Sequence, residues 1–276
     1  MSVGEFLIDN IFSSDHDESV LKTNLDVLIK DVVEREDYSF HNGILGVGWL
    51  LEYLEQNDYL YFGDLDELLI DIDDNIYKLS SVALSDQNES VIRYLEYLSY
   101  FQLRRTNKRK TNNFYRNFVH KECLALIINR LIYLYDACKK INSIEGNDLP
   151  LTLLKISSLT NTGLEEYRME EFFFYWMEYF CEYYSNKQKD LDARHSENVL
   201  FLLITAIQYD NPYWVGLFSQ ILYDNLELLD MNRCGFVIPS LINSDPSIKM
   251  DVGSVNPLCM EILMIFVVNI KNLKIK

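Results

Sequence analysis

The chain has 276 residues, with 25 Lys and Arg against 42 Asp and Glu, a formal net charge of −17. Hydrophobic residues at 49% and charged residues at 24% make it a globular protein and exclude a disordered chain. A strongly acidic surface repels phosphates, so nucleic acid is not an expected partner.

Ten Gly and five Pro are few for this length, which long helices tolerate and turn-rich β folds do not. The opening "MSVGEFLIDN" carries acidic residues where a signal peptide would be basic. An apolar stripe at helical spacing follows: Val20, Leu21, Leu25, Leu28, Ile29, Val32 and Val33, with Asp17 or Ser19 available as N-cap. Next comes "FHNGILGVGWLLEYL", residues 40–54, for which Asn42 is a candidate N-cap. In "GDLDELLIDIDDNIYKL", Asp64 and Glu67 have capping-box spacing, and Leu65, Leu68, Leu69, Ile72, Ile76 and Leu79 form a second stripe.

Further helices are expected near 89–106, 112–141, 150–160, 164–185, 196–208, 212–229 and 256–274, the last with Pro257 at N1 after Asn256. Within it, "LCMEILMIFVVNI" is short for a bilayer and contains Glu261, so it reads as a buried helix and no membrane contact is expected. "GFVIPSLI" at 235–242 is the best strand candidate, and Pro239 interrupts it. Residues 142–149 and 230–255 read as loops. Short connections between helices favour antiparallel pairs and a single all-α domain over 1–276.

Three glycines, Gly43, Gly46 and Gly48, open a segment that otherwise reads as a helix. Each costs about 1 kcal/mol of helix stability relative to Ala. Their spacing is not the dinucleotide fingerprint, and no Gly-Lys-Ser/Thr follows for a phosphate loop. The physical reading is close approach: a neighbouring helix or loop packs on the bare backbone while Trp49, Leu50, Tyr53 and Leu54 supply buried bulk.

"NGILGVGWLLEYL" is similar to the start of an inner helix in the lanthionine synthetase C-like family, where Gly-x-x-Gly-[IVL]-Gly opens such helices. "GDLDELLIDIDDNIYKL" looks like the following helix, and the resemblance covers residues 38–80. It implies an α/α toroid of paired antiparallel helices, complete or partial. It also implies a role in bacterial ribosomal peptide maturation, with a precursor peptide or modifying enzyme as partner. "YWVGLFSQIL" around Gly216 is at most a worn second copy. His41, Gly43, Gly46, Gly48, Trp49 and Trp176 are the candidate binding residues; no catalytic residue is assigned.

Catalytic members of that family hold zinc with two Cys and one His, the second Cys directly preceding the His. None of His16, His41, His120 and His195 adjoins a cysteine. No metal or other cofactor is therefore expected, and lanthionine cyclisation is not the first reading. Cys234 before Gly235 is the best remnant of a ligand, and Cys259 reads as core. His120 and Cys123 stand at i, i+3 on one helix, as two ligands or as a partly exposed His beside a buried Cys.

The cysteines, Cys123, Cys138, Cys181, Cys234 and Cys259, are odd in number and widely spaced, which points to reduced thiols and a cytoplasmic location. The second function reading is a cavity enzyme using paired carboxylates, with Asp71, Asp73, Asp74, Glu165 and Glu166 as candidates, or residual cyclase activity. The third is an assembly subunit. The basic run Arg104, Arg105, Lys108, Arg109 and Lys110 reads as a solvated helix end, or as a contact for an acidic partner. The aromatic helix "EEYRMEEFFFYWMEYFCEYY" reads as core, with a groove or exposed patch for a partner as the alternative.

Overall fold

The structure is a computed structural model that describes residues 2–11, 17–40, 42–86, 88–106, 114–139, 148–157, 159, 166–186 and 191–225. Every regular element among them is a helix: α1 (Val3–Asn10), α2 (Glu18–Arg35), α3 (Ile44–Gln56), α4 (Leu65–Leu68), α5 (Ile70–Ser85), α6 (Val91–Thr106), α7 (Phe114–Lys139), α8 (Leu149–Ser157), α9 (Glu166–Asn186), α10 (Ala193–Gln208) and α11 (Pro212–Asp224). No helix of the described residues is long and apolar enough to cross a membrane. The chain divides into two compact units, Met1–Leu131 and Ile132–Lys276, with the boundary inside α7. The expected strand at 235–242 and helix at 256–274 lie outside the described residues.

The first unit is built around α3, which packs against α6 and also touches α1, α2 and α5. Every α3 residue from Leu45 to Glu55 is buried. The sequence anticipates this with an apolar run that continues around the helix rather than along one stripe. Leu50, Tyr53 and Leu54 are at most 1% exposed, and each such burial contributes about 1.5–3 kcal/mol.

α2 starts on Asp17, whose carboxylate accepts the Ser19 N–H at 2.8 Å. Only the inner part of its expected stripe is covered: Leu21, Leu25, Leu28 and Val32 are buried, whereas Val20 and Val33 are 50% and 60% exposed. Asp64 caps α4 by accepting the Glu67 N–H at 3.1 Å, as the capping-box spacing requires. The continuous stripe expected from Leu65 to Leu79 breaks at Leu69, which ends α4 and precedes α5. α1, whose composition is short and mixed, was not among the expected helices; Val3, Phe6 and Leu7 anchor it in the core.

The Tyr53 hydroxyl is buried and finds no hydrogen-bond partner among the described residues. Burial, reinforced by Tyr59, pushes its ionisation well above the usual tyrosine value. A buried donor left unmade costs about 1–3 kcal/mol. Tyr53→Phe keeps the ring stack on Trp49, with centroids 5.2 Å apart, and is expected to raise stability by about 1 kcal/mol in urea unfolding. A loss of stability would reveal a partner for that hydroxyl.

In the second unit α8 is buried from Leu149 to Ser157 and packs against α9 and α10, while α11 packs against α9 and α10. α10 begins at Ala193, three residues before the expected start, because Asp192 caps it by accepting the His195 N–H. α11 starts on Asn211, whose side-chain oxygen accepts from Tyr213 and Trp214 N–H groups, with Pro212 at the first helical position.

Candidate functional site

The glycine segment closes on its own chain. Asn42 does not cap α3; Gly43 occupies the cap position in extended backbone and offers no side-chain bond. The orphan N–H groups turn instead to the preceding loop. Ile44 N donates to the Asp37 carbonyl at 2.7 Å, and Gly46 N to the Ser39 carbonyl at 3.4 Å. A Cβ at Gly43 would stand 2.4 Å from the Asp37 oxygen, and one at Gly46 1.8 Å from the Phe40 oxygen.

These two glycines make room for the loop backbone that caps the helix. Gly48 faces other helices: Tyr100 of α6 and Ile72 of α5 lie 3.0 and 3.1 Å from where its Cβ would be. Gly216, the supposed second copy, meets nothing within 4 Å and plays no such part. Of the other candidate binding residues, Trp49 and Trp176 are 3% and 1% exposed, core positions that present no surface to a partner. His41 lies outside the described residues.

The largest departure from the sequence reading is Arg104. It is not a solvated helix end; it is completely buried at the centre of an ionic cluster. Its Nη1 bonds Glu52 of α3, and its Nη2 reaches Asp66 of α4 at 2.9 Å and Asp73 of α5 at 2.7 Å. Its Nε adds a second bond to Asp73 at 3.1 Å. Asp73 also accepts the Tyr100 hydroxyl at 2.7 Å and Arg116 Nη1 at 3.1 Å, and lies 3.6 Å from His120 Nε2.

His120 is therefore buried, contrary to the partly exposed position expected for it. The Cys123 thiol is buried too, and burial pushes it up to about 11 despite a hydrogen bond with Ser80. Among the described residues no group of three or more His, Cys, Asp or Glu side chains is arranged to hold a metal ion; Cys234 and Cys259 lie outside them.

Burial alone would raise the Asp73 carboxyl. The nearby His120 imidazole, hydrogen bonds from Arg104 and the guanidinium charge outweigh it and hold the group well below the usual carboxylate range. A catalytic acid needs the opposite displacement. Asp71 and Asp74, the neighbouring candidates, are exposed; Glu165 lies outside the described residues and the Glu166 side chain is not described. The cluster is a clamp that ties α3 to α7 together in the first unit. Its sequence signal was present but quiet. Asp73 interrupts the buried face Leu69, Ile76, Ser80 and Ala83 at helical spacing, and Glu52 falls in the apolar run between Trp49 and Leu54.

Among the described residues, α9 brings accessible aromatic and acidic side chains together on one helix. The aromatic helix divides into two faces. Phe172, Phe173, Trp176, Met177, Phe180 and Tyr184 are core, at most 4% exposed. Phe174 and Tyr175 are 39% and 47% exposed, Tyr179 and Tyr183 are half-buried, and Glu171, Glu178 and Glu182 stand exposed among them. Tyr179 and Tyr183 stack with centroids 6.1 Å apart. Phe174 packs on Tyr209 and Trp214, and Trp214 Nε1 donates to Glu178 at 3.3 Å, which fixes that carboxylate beside the rings. Burial and then the neighbouring Tyr183, Tyr175 and Glu182 raise the Tyr179 hydroxyl above its ordinary value.

No protein-family model matches the chain, and no curated protein and no solved structure matches it either.

Proposed function

We propose that the protein binds a peptide or a peptide-bearing enzyme through α9, as a divergent, non-zinc relative of the lanthionine synthetase C-like proteins. The observation that carries this reading is the α9 face of exposed and half-buried rings interleaved with carboxylates. Rings attract cations through their faces, worth about 0.5–2 kcal/mol each, and flanking carboxylates add attraction for the same charge. The partner segment is therefore basic, with Lys or Arg alternating with apolar residues. The α/α toroid and the place in peptide maturation belong to the same proposal and rest on the glycine-led α3, and the cytosolic setting rests on the odd, widely spaced cysteines. The carboxylate-enzyme reading has less support, because Asp73 is committed to arginines.

Fluorescence anisotropy with a short labelled peptide of alternating arginine and leucine tests this, against its glutamate–leucine counterpart. Tyr175→Ala and Tyr179→Ala together remove rings without changing charge. They are expected to weaken binding of the basic peptide about fivefold or more, an energy of about 1 kcal/mol. Equal binding by the double variant would mean that the net charge alone attracts the peptide, and would sink the site.

A further inference from the structure

At the end of α9 the Tyr183 hydroxyl lies 3.2 Å from His195 Nε2 on α10. His195 Nδ1 in turn lies 2.7 Å from Asp192 Oδ1. The same carboxylate oxygen accepts the His195 backbone N–H at 2.9 Å, so the residue that starts α10 also faces the imidazole. Tyr184, 1% exposed, closes one side of the ring edge-on, with centroids 6.2 Å apart at 84°. The Tyr183 ring is within 16° of parallel to it, with centroids 6.3 Å apart.

With Asp192 as acceptor, Nδ1 carries the hydrogen and Nε2 presents its lone pair to the phenol. That is the arrangement of a nucleophile, a base and a group that orients the base. It differs from an ordinary helix cap in its third member: capping α10 needs Asp192 alone and gives no reason for a phenol at Nε2. The His195 side chain is 23% exposed and Tyr183 is half-buried, so the pair is not sealed in the core.

We infer that Tyr183 is a base-activated nucleophile that accepts an acyl group from a small activated ester. Its Oη attacks the ester carbonyl carbon and an Oη–C bond forms, while the phenol proton passes to His195 Nε2. The bond from that carbon to the leaving oxygen then breaks, and His195 returns the proton to the leaving oxygen. Acyl-Tyr183 and an alcohol result, with no oxidant or reductant in the balance. His195 is the catalytic base, and Asp192 is a positioning residue.

The experiment is timed reaction of the full chain with p-nitrophenyl acetate, with acetylated tyrosines located by peptide mass mapping. Tyr213, 65% exposed, serves as a reference inside the same molecule. Tyr183 is expected to be acetylated at least tenfold faster than Tyr213. His195→Gln should bring it to the Tyr213 rate or below. Asp192→Asn keeps a competent N-cap while removing the charge that orients the imidazole. It should slow Tyr183 at least threefold with unchanged helical circular dichroism and an unchanged Tyr213 rate. Labelling that simply follows exposure, or a Tyr183 rate indifferent to both substitutions, would overturn the inference.

Discussion

Arg104→Met is expected to cost the first unit about 3–5 kcal/mol, because it leaves Glu52 and Asp73 buried with their principal counter-charge gone. The guanidinium serves three carboxylates from three helices at once, a geometry its planar fork permits. Arg104→Lys is expected to fail in the same sense, since one ammonium cannot span Glu52, Asp66 and both oxygens of Asp73. Hydrogen exchange read by mass spectrometry separates the effect by region. Peptides from α3, α5 and α6 should lose protection, with those from α8 and α10 as the comparison. Unchanged protection in α3 and α6 would show that the clamp does not hold the unit together.

The same cluster sets a pH dependence with a definite sign. The Asp73 carboxyl is held below its ordinary value in the folded chain. Its contribution to stability is therefore complete above the unfolded aspartate value near 3.9, and is lost as pH falls below that towards the folded value. The wild type should lose stability steeply in acid below about pH 4. Asp73→Asn should be less stable at neutral pH and flatter in that acid range. An identical acid slope in the variant would remove Asp73 from the account.

Gly46→Ala and Gly216→Ala should move stability in opposite directions, although both glycines sit inside helices. At Gly46 the new Cβ would stand 1.8 Å from the Phe40 carbonyl oxygen and 2.8 Å from its carbon. Those atoms are backbone, not the end of a side chain that could swing away. Their loop also supplies the carbonyls that cap α3. Overpacking costs typically about 1–3 kcal/mol and more where the neighbour cannot yield, so a net loss of about 3 kcal/mol is expected even after the better helix propensity of Ala.

At Gly216 the Cβ meets nothing within 4 Å, and the substitution should raise stability by about 0.5–1 kcal/mol. Thermal unfolding of the two single variants decides it. A Gly46→Ala protein as stable as the wild type would mean that the loop from Asp37 to Phe40 does not seat as described.

The helical class, most helix positions and several local caps were legible in the residues alone, because these depend on periodicity and on the backbone within a few residues. Asp17, Asp64 and the buried run after Gly48 were all legible in that way. The sequence also exposed the anomaly of three glycines and the unusual aromatic content of α9, although the split of that helix into a core face and an open face came only with its neighbours in place. What those anomalies are for depends on groups that the fold brings in from elsewhere in the chain. Asn42 and Gly43 compete for one cap position, and the winner is set by carbonyls of the loop from Asp37 to Ser39. Arg104 looked like the first charge of a solvated run, and is completely buried because Glu52, Asp66 and Asp73 converge on it from three other helices. His195 was one of four unremarkable histidines until α9 and α10 brought Tyr183 to its Nε2. A side chain's own neighbours along the chain set its propensity; whether its charge is solvated, paired or put to chemical use depends on groups tens of residues away.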